Sequence, residues 1–147
     1  MIIGVTGYMA SGKDTVVEYL IKKGFKHISL SDILRAELKS RKLEVTRKNL
    51  QEIGSNLREH FGAGYLAERA MLQIDEKEDW IISSIGTVGE INILKKSQKF
   101  NLIFVDAPQK ERYKRIKARM REKERAKTFA EFKKSEALER IAIIDNP

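Results

Sequence analysis

Residues 1–15 read Met-Ile-Ile-Gly-Val-Thr-Gly-Tyr-Met-Ala-Ser-Gly-Lys-Asp-Thr: an apolar run, then Gly7-x-x-x-x-Gly12-Lys13, then a helical pattern. Buried strand, glycine loop and helix in that order are the setting in which such a loop cradles phosphate. Glycines let the backbone curl until successive N–H groups point inward at an anion. The helix beginning near Lys13 adds the positive end of its dipole, and the Lys13 ammonium reaches the terminal phosphates. The spacing therefore predicts a nucleotide site built from Gly7, Ala10, Ser11, Gly12, Lys13, Asp14 and Thr15. A serine or threonine usually follows the lysine and meets Mg²⁺. Here Asp14 follows it, and the hydroxyl comes one residue later, at Thr15, the candidate metal ligand.

Outward from this loop, strands and helices alternate. Met1–Thr6 reads as a strand, and Val16, Val17, Leu20 and Ile21 mark one face of a helix over Lys13–Lys23. Gly24 stops that helix, Phe25–Leu30 reads as a second strand, and Ser31 or Asp32 is expected to cap the next helix, to about Lys39. Leu50, Ile53, Leu57 and Phe61 recur at helical spacing after Arg47, and a further helix is expected from the Gly62-Ala63-Gly64 break to about Glu76. Trp80–Ile85 is an apolar strand. Thr87 and Glu90 form a capping box that opens a helix to about Ser97. Asn101–Val105 is a fourth strand, and Asp106 a turn residue ahead of a helix from Gln109 to about Arg125. Thr128 and Glu131 form a second capping box, expected to open a short helix; Ile141–Pro147 reads as a short strand or part of something longer.

This order predicts an α/β fold in three layers, a parallel sheet of four or five strands with helices on both faces. Residues 1–147 form a single domain: a core of 1–31 and 79–108, a helical insertion at 32–78 over the nucleotide site, and a lid region at 109–135.

A chain of 147 residues with 41% hydrophobic and 34% charged side chains fits one globular core. With no cysteine and two histidines, disulfides and a zinc site are excluded. No window is apolar enough to span a bilayer, and no leader precedes the first strand, so the cytoplasm is the expected compartment. The net charge of +8 is local: residues 110–134 hold twelve basic and four acidic side chains. Arg112, Arg115 and Arg119 fall on one helical face beside the apolar Tyr113, Ile116 and Met120, and Arg121 and Arg125 follow. A basic stripe backed by an apolar one suits a lid that closes over phosphates. Nucleic acid is the less expected partner, since no aromatics are interleaved for base stacking.

On the opposite side, Asp32 is expected at the carboxyl edge of the sheet, where open α/β folds bind ligands, either orienting an acceptor or holding metal-bound water. Arg35 and Arg58 are the candidate cations of the insertion, with Arg47 as a further one.

Gly7–Thr15, Ser31-Asp32-Ile33-Leu34-Arg35, the helix from Thr46-Arg47 to Arg58, Thr87–Glu90, and Val105-Asp106-Ala107-Pro108 with its downstream arginines form a series. Together they resemble the P-loop kinases grouped around nucleoside monophosphate kinases and dephospho-coenzyme A kinases. The resemblance implies ATP and Mg²⁺ as cofactors and a small-molecule phosphate acceptor as partner. It implies acceptor binding by Asp32, Arg35 and Arg58, and catalysis by Lys13, Asp32, Arg115 and Arg119. In that family the third strand ends in an Asp followed three residues later by an Arg; Ser83 and Gly86 stand there in this chain. The family also continues into a last strand and a loop around the adenine. Two alternatives stay open: a nucleotide-binding protein with weak or no kinase activity, and a nucleic-acid-associated ATPase.

Overall fold

The computed structural model describes residues 1–119 and 128–145, with side chains to 137. In chain order the elements are β1 (Ile2–Gly7), α1 (Lys13–Lys22), β2 (Lys26–Ser29), α2 (Leu30–Ser40), α3 (Arg47–Phe61), α4 (Tyr65–Met71), β3 (Trp80–Ser83), α5 (Val88–Leu94), β4 (Phe100–Val105), α6 (Gln109–Arg119) and α7 (Phe129–Asp145). The four described strands form one sheet in the order β2-β3-β1-β4, every pair parallel. Parallel strands need crossover connections that lay helices on the sheet faces, so interior strands are apolar on both sides. β1 and β3 obey this: Ile2, Val5, Ile81 and Ile82 have no exposed surface.

Each face has its own core. On one, Ile3, Val5 and Ile81 pack with Val17 of α1. On the other, Ile2 and Ile82 meet Leu30, Leu34 and Leu38 of α2, Ile53 and Leu57 of α3, Leu66 of α4 and Leu94 of α5. The expected three-layer α/β arrangement is thus present, with four strands among the described residues. At the outer edge β4 leaves Leu102, Ile103 and Phe104 exposed, Phe104 by 56%.

Most element boundaries agree with the periodicity. α2 does not begin at Ser31 or Asp32: its N-cap is Ser29, so Asp32 lies in its first turn. The buried Leu30 belongs with Leu34 and Leu38 on one helical stripe, and burying that stripe extends the helix back to the end of β2. α4 ends at Met71, short of Glu76. The helix after Thr128 is 17 residues long and not short; it carries Ile141–Ile144, so that stretch is not a strand. Both halves of the Thr128–Glu131 capping box form. Met120, Arg121 and Arg125 lie outside the described residues.

One contact sets how the first turn leaves the sheet. β1 ends at Gly7 with φ +145°, and a Cβ there would sit 2.0 Å from the carbonyl oxygen of Val105 on β4. Both the dihedral and the approach exclude a side chain. Gly7→Ala is therefore expected to destabilise the fold by more than about 2 kcal/mol, through a displaced β1–β4 pair; urea unfolding of the purified variant measures it. A stability equal to the parent's would refute this account of the turn.

Candidate active site

Beyond Gly7 the chain curls through Tyr8–Gly12. Ser11 N donates to Tyr8 O at 3.2 Å, Ala10 holds φ +58°, and Gly12 is the N-cap of α1 at φ +102°. Among the described residues no side chain caps α1, so the donors of its first turn remain for a ligand. Met9–Asp14 and Arg119 line a cavity of about 160 Å³ at this helix end. The Ser11 hydroxyl is buried here without a hydrogen-bond partner among the described residues, and the loop is wound around a space that anionic oxygens would fill. The residues present fit a phosphate chain.

Lys13 extends back over the loop and donates to Gly7 O at 2.8 Å and Tyr8 O at 2.6 Å. Burial lowers its pKa below the usual lysine value; Arg119 and Arg112 push the same way, and Asp14 opposes them. The ammonium is held among carbonyl dipoles and nearby cations, a setting that an anion would relieve. Asp14 and Thr15 sit exposed in the first turn of α1. Among the described residues no three His, Asp or Glu side chains group into a metal site.

The three arginines of α6 share one helical face but not one environment. Arg119 lines the phosphate-loop cavity. Arg115 donates from Nη1 to Ala10 O at 3.0 Å and so clasps the loop backbone. Arg112 departs from the phosphate-covering stripe expected from its spacing. It is 2% exposed, forks onto Glu136 of α7 through Nη1 and Nη2, donates from Nε to Ala107 O at 2.9 Å, and lies 4.7 Å above the Tyr8 ring. Its bonds to Glu136 raise its pKa further. Helical spacing locates a residue on a face; whether that face meets water or a neighbouring helix is a tertiary matter. Nothing in the sequence around Glu136 marks it as a partner.

Of the residues expected to bind an acceptor, Asp32 and Arg35 are brought together, but with each other: Arg35 Nη1 lies 2.7 Å from Asp32 Oδ1, an exposed pair on the first turns of α2. Arg58 is bound to Glu90, and Glu90 does more than close the Thr87 capping box. The Ser83 hydroxyl at the end of β3 lies 2.7 Å from His27 Nε2, and Ser84, at φ +60°, pairs with Ser29 at 2.9 Å. The Asp106 carboxylate accepts from Ala107 N at 2.7 Å, which is a turn residue's role.

A family profile described as an AAA domain matches residues 6–132. A UPF0200 protein of Thermococcus gammatolerans is 34% identical over 128 residues, 82% of this chain and 67% of the relative. The corresponding protein of Methanocaldococcus jannaschii is 32% identical over 130 residues, 86% of this chain and 66% of the relative. The chain belongs to this AAA-domain family and to the UPF0200 proteins. It spans about two thirds of the length of those two relatives. Among solved structures, the shikimate kinase of Bacteroides thetaiotaomicron superposes with a TM-score of 0.56 at 20% identity, over 97% of this chain and 80% of that one. A chain of the Pnkp1/Rnl/Hen1 RNA repair complex gives a TM-score of 0.57 at 12% identity, over 98% of this chain and 45% of that one. These likenesses establish the fold shared with P-loop kinases. Among the described residues no helix is long and apolar enough to cross a membrane.

In this UPF0200 chain the α6 arginines divide into a fastener and two residues at the loop. Glu136→Ala strands a buried guanidinium and is expected to cost about 3–5 kcal/mol of stability. Arg115→Ala removes one hydrogen bond to a carbonyl and is expected to cost about 1–2 kcal/mol. Denaturant unfolding of the two variants beside the parent checks the ranking, and equal losses would contradict it.

Proposed function

We propose that this protein is an ATP·Mg²⁺-dependent phosphotransferase that passes the γ-phosphoryl group to a small phosphorylated acceptor, a nucleoside monophosphate or dephospho-coenzyme A. The observation that carries this reading is the uncapped start of α1 beneath a positive-φ loop, with Lys13 and the unpartnered Ser11 hydroxyl at the same place. The resemblance to nucleotide kinases supports the choice of acceptors.

On this reading the amides of Gly7–Thr15 hold the phosphates, and Lys13 exchanges its bonds to Gly7 O and Tyr8 O for phosphate oxygens. Thr15 would offer its hydroxyl to Mg²⁺. The metal, when bound, neutralises charge on the transferring group. Arg119 closes on the phosphates from the cavity wall, and Arg115 holds the loop in its curled form through Ala10 O. Residues 32–78 serve the acceptor through Asp32, Arg35 and Arg58, and 109–135 act as the lid. Asp32 and Arg35 must part, or bind as a pair, for either to reach an acceptor.

A second reading, a nucleotide-binding protein with little turnover, is favoured by Ser83, which offers a hydroxyl bonded to His27 where a kinase of this type carries a carboxylate. A nucleic-acid-stimulated ATPase is disfavoured because Arg112, part of the basic stripe, is buried.

ADP release measured with nucleoside monophosphates, dephospho-coenzyme A, DNA or no acceptor separates the three. Acceptor-dependent release is the expected result; release stimulated by DNA alone, or nucleotide binding without release, refutes the proposal. Lys13→Ala is expected to lower turnover by on the order of 10²-fold or more while leaving the ligand-free melting temperature within a few degrees. Undiminished turnover would remove Lys13 from the site.

The lowered pKa of Lys13 adds a pH signature. Bound phosphate raises that pKa, so nucleotide binding takes up a proton once the free lysine has begun to lose its own. Affinity is fully present below the free-protein pKa and falls as pH rises through it, starting below 10.5. Calorimetric titration of ATP·Mg²⁺ from pH 7 upward should show that decline in the parent and none in Lys13→Met.

A further inference from the structure

A side chain grown from Gly86 would meet a single described atom within 4 Å outside its immediate neighbours, Nη2 of Arg58, at 4.0 Å. A guanidinium from α3 already lies beside that place.

Glu90 holds it there. This carboxylate is fully buried, accepts Arg58 Nη2 at 2.8 Å and Nε at 3.2 Å on Oε1, and accepts Gly86 N at 2.8 Å and Thr87 N at 3.1 Å on Oε2. One carboxylate thus fastens both the loop that contains Gly86 and the arginine next to it. A capping box needs only an acceptor, and glutamine would serve. A fully buried charge persists when a partner of opposite sign offsets its desolvation, and Arg58 is that partner. The loop is also tied to the nucleotide side, since Thr6 Oγ1, one residue before Gly7, donates to Ile85 O at 3.1 Å.

The guanidinium has five N–H donors, and two of them go to Glu90. The other three have no partner among the described residues, and the side chain is 27% exposed. A fork with free donors, its orientation set by a buried carboxylate, is suited to a phosphate dianion.

We infer that Glu90 is a positioning residue that presents Arg58 beside Gly86 to bind the acceptor's phosphate. The inference rests on the phosphoryl-transfer reading and narrows its acceptor to a molecule carrying a phosphomonoester or a group of like charge. It also reverses a simple expectation about Gly86: an arginine placed there in the parent would crowd a guanidinium already present.

The test uses inorganic phosphate as the probe, titrated calorimetrically into the full chain saturated with the Mg²⁺ complex of a non-hydrolysable ATP analogue, which occupies the triphosphate site. One phosphate is expected to bind. The double variant Arg58→Met/Glu90→Gln, which leaves no buried charge unpaired, should weaken phosphate at least tenfold with analogue affinity unchanged. Glu90→Gln alone should weaken it several-fold with Arg58 intact, whereas a purely structural glutamate would shift the melting temperature and leave phosphate affinity alone. Gly86→Arg added to the double variant should restore binding. Equal phosphate affinity in parent and double variant, or no phosphate bound by the analogue-loaded parent, overturns the inference while leaving the phosphotransferase reading in place. Failure of the parent to bind the analogue at all overturns that reading, and this inference with it.

Discussion

The structure turns on how closely β1 passes β4 at Gly7. There is no room for a Cβ beside Val105 O, and the backbone takes a dihedral that side chains disfavour. That close approach lets the chain leave the sheet in a tight curl, which places Gly12 in a left-handed conformation ahead of α1. The curl leaves the first amides of α1 uncapped, and that defines the site. A side-chain cap, as Thr46 provides for α3, would fill the same donors and abolish it. The interior strands can support this strained turn because both of their faces are buried.

The basic segment has a division of labour that net charge conceals. Arg112 is a core residue in all but chemistry, joining the β4–α6 turn, the Tyr8 ring and α7 around one guanidinium. Its burial is tolerated because Glu136 offers a matching fork and the ring face accepts the cation. With that helix fastened, Arg115 and Arg119, one and two turns further on, are delivered to the phosphate loop. The cations at the loop therefore depend on a salt bridge whose guanidinium also packs against the loop through the Tyr8 ring.

The arrangement around Arg35 and Arg58 is built on the opposite principle. Its arginines are not left as isolated positive charges: Arg35 is held by Asp32 in water, and Arg58 by Glu90 out of it. The two pairs differ in consequence. An exposed i,i+3 pair contributes little and opens readily. A guanidinium bound to a fully buried carboxylate keeps one orientation, and of the two it is the better preorganised for a ligand.

The sequence by itself determined the alternation of strands and helices, the phosphate loop, both capping boxes and the parallel three-layer fold. These follow from local rules: the apolar periodicity of β1 and α3, the glycines at 7 and 12, and the Thr87–Glu90 and Thr128–Glu131 spacings. Local rules misplace the start of α2 because capping chemistry at Ser31 and Asp32 is outweighed by the burial of Leu30, which depends on the far side of the core. The partners of the charged residues were decided only by the tertiary structure. Arg112 meets Glu136, Arg58 meets Glu90 and His27 meets Ser83 across 24, 32 and 56 residues of chain, respectively. No local pattern encodes such pairings, because an ion pair is chosen by whichever side chains the packed helices and strands bring within reach.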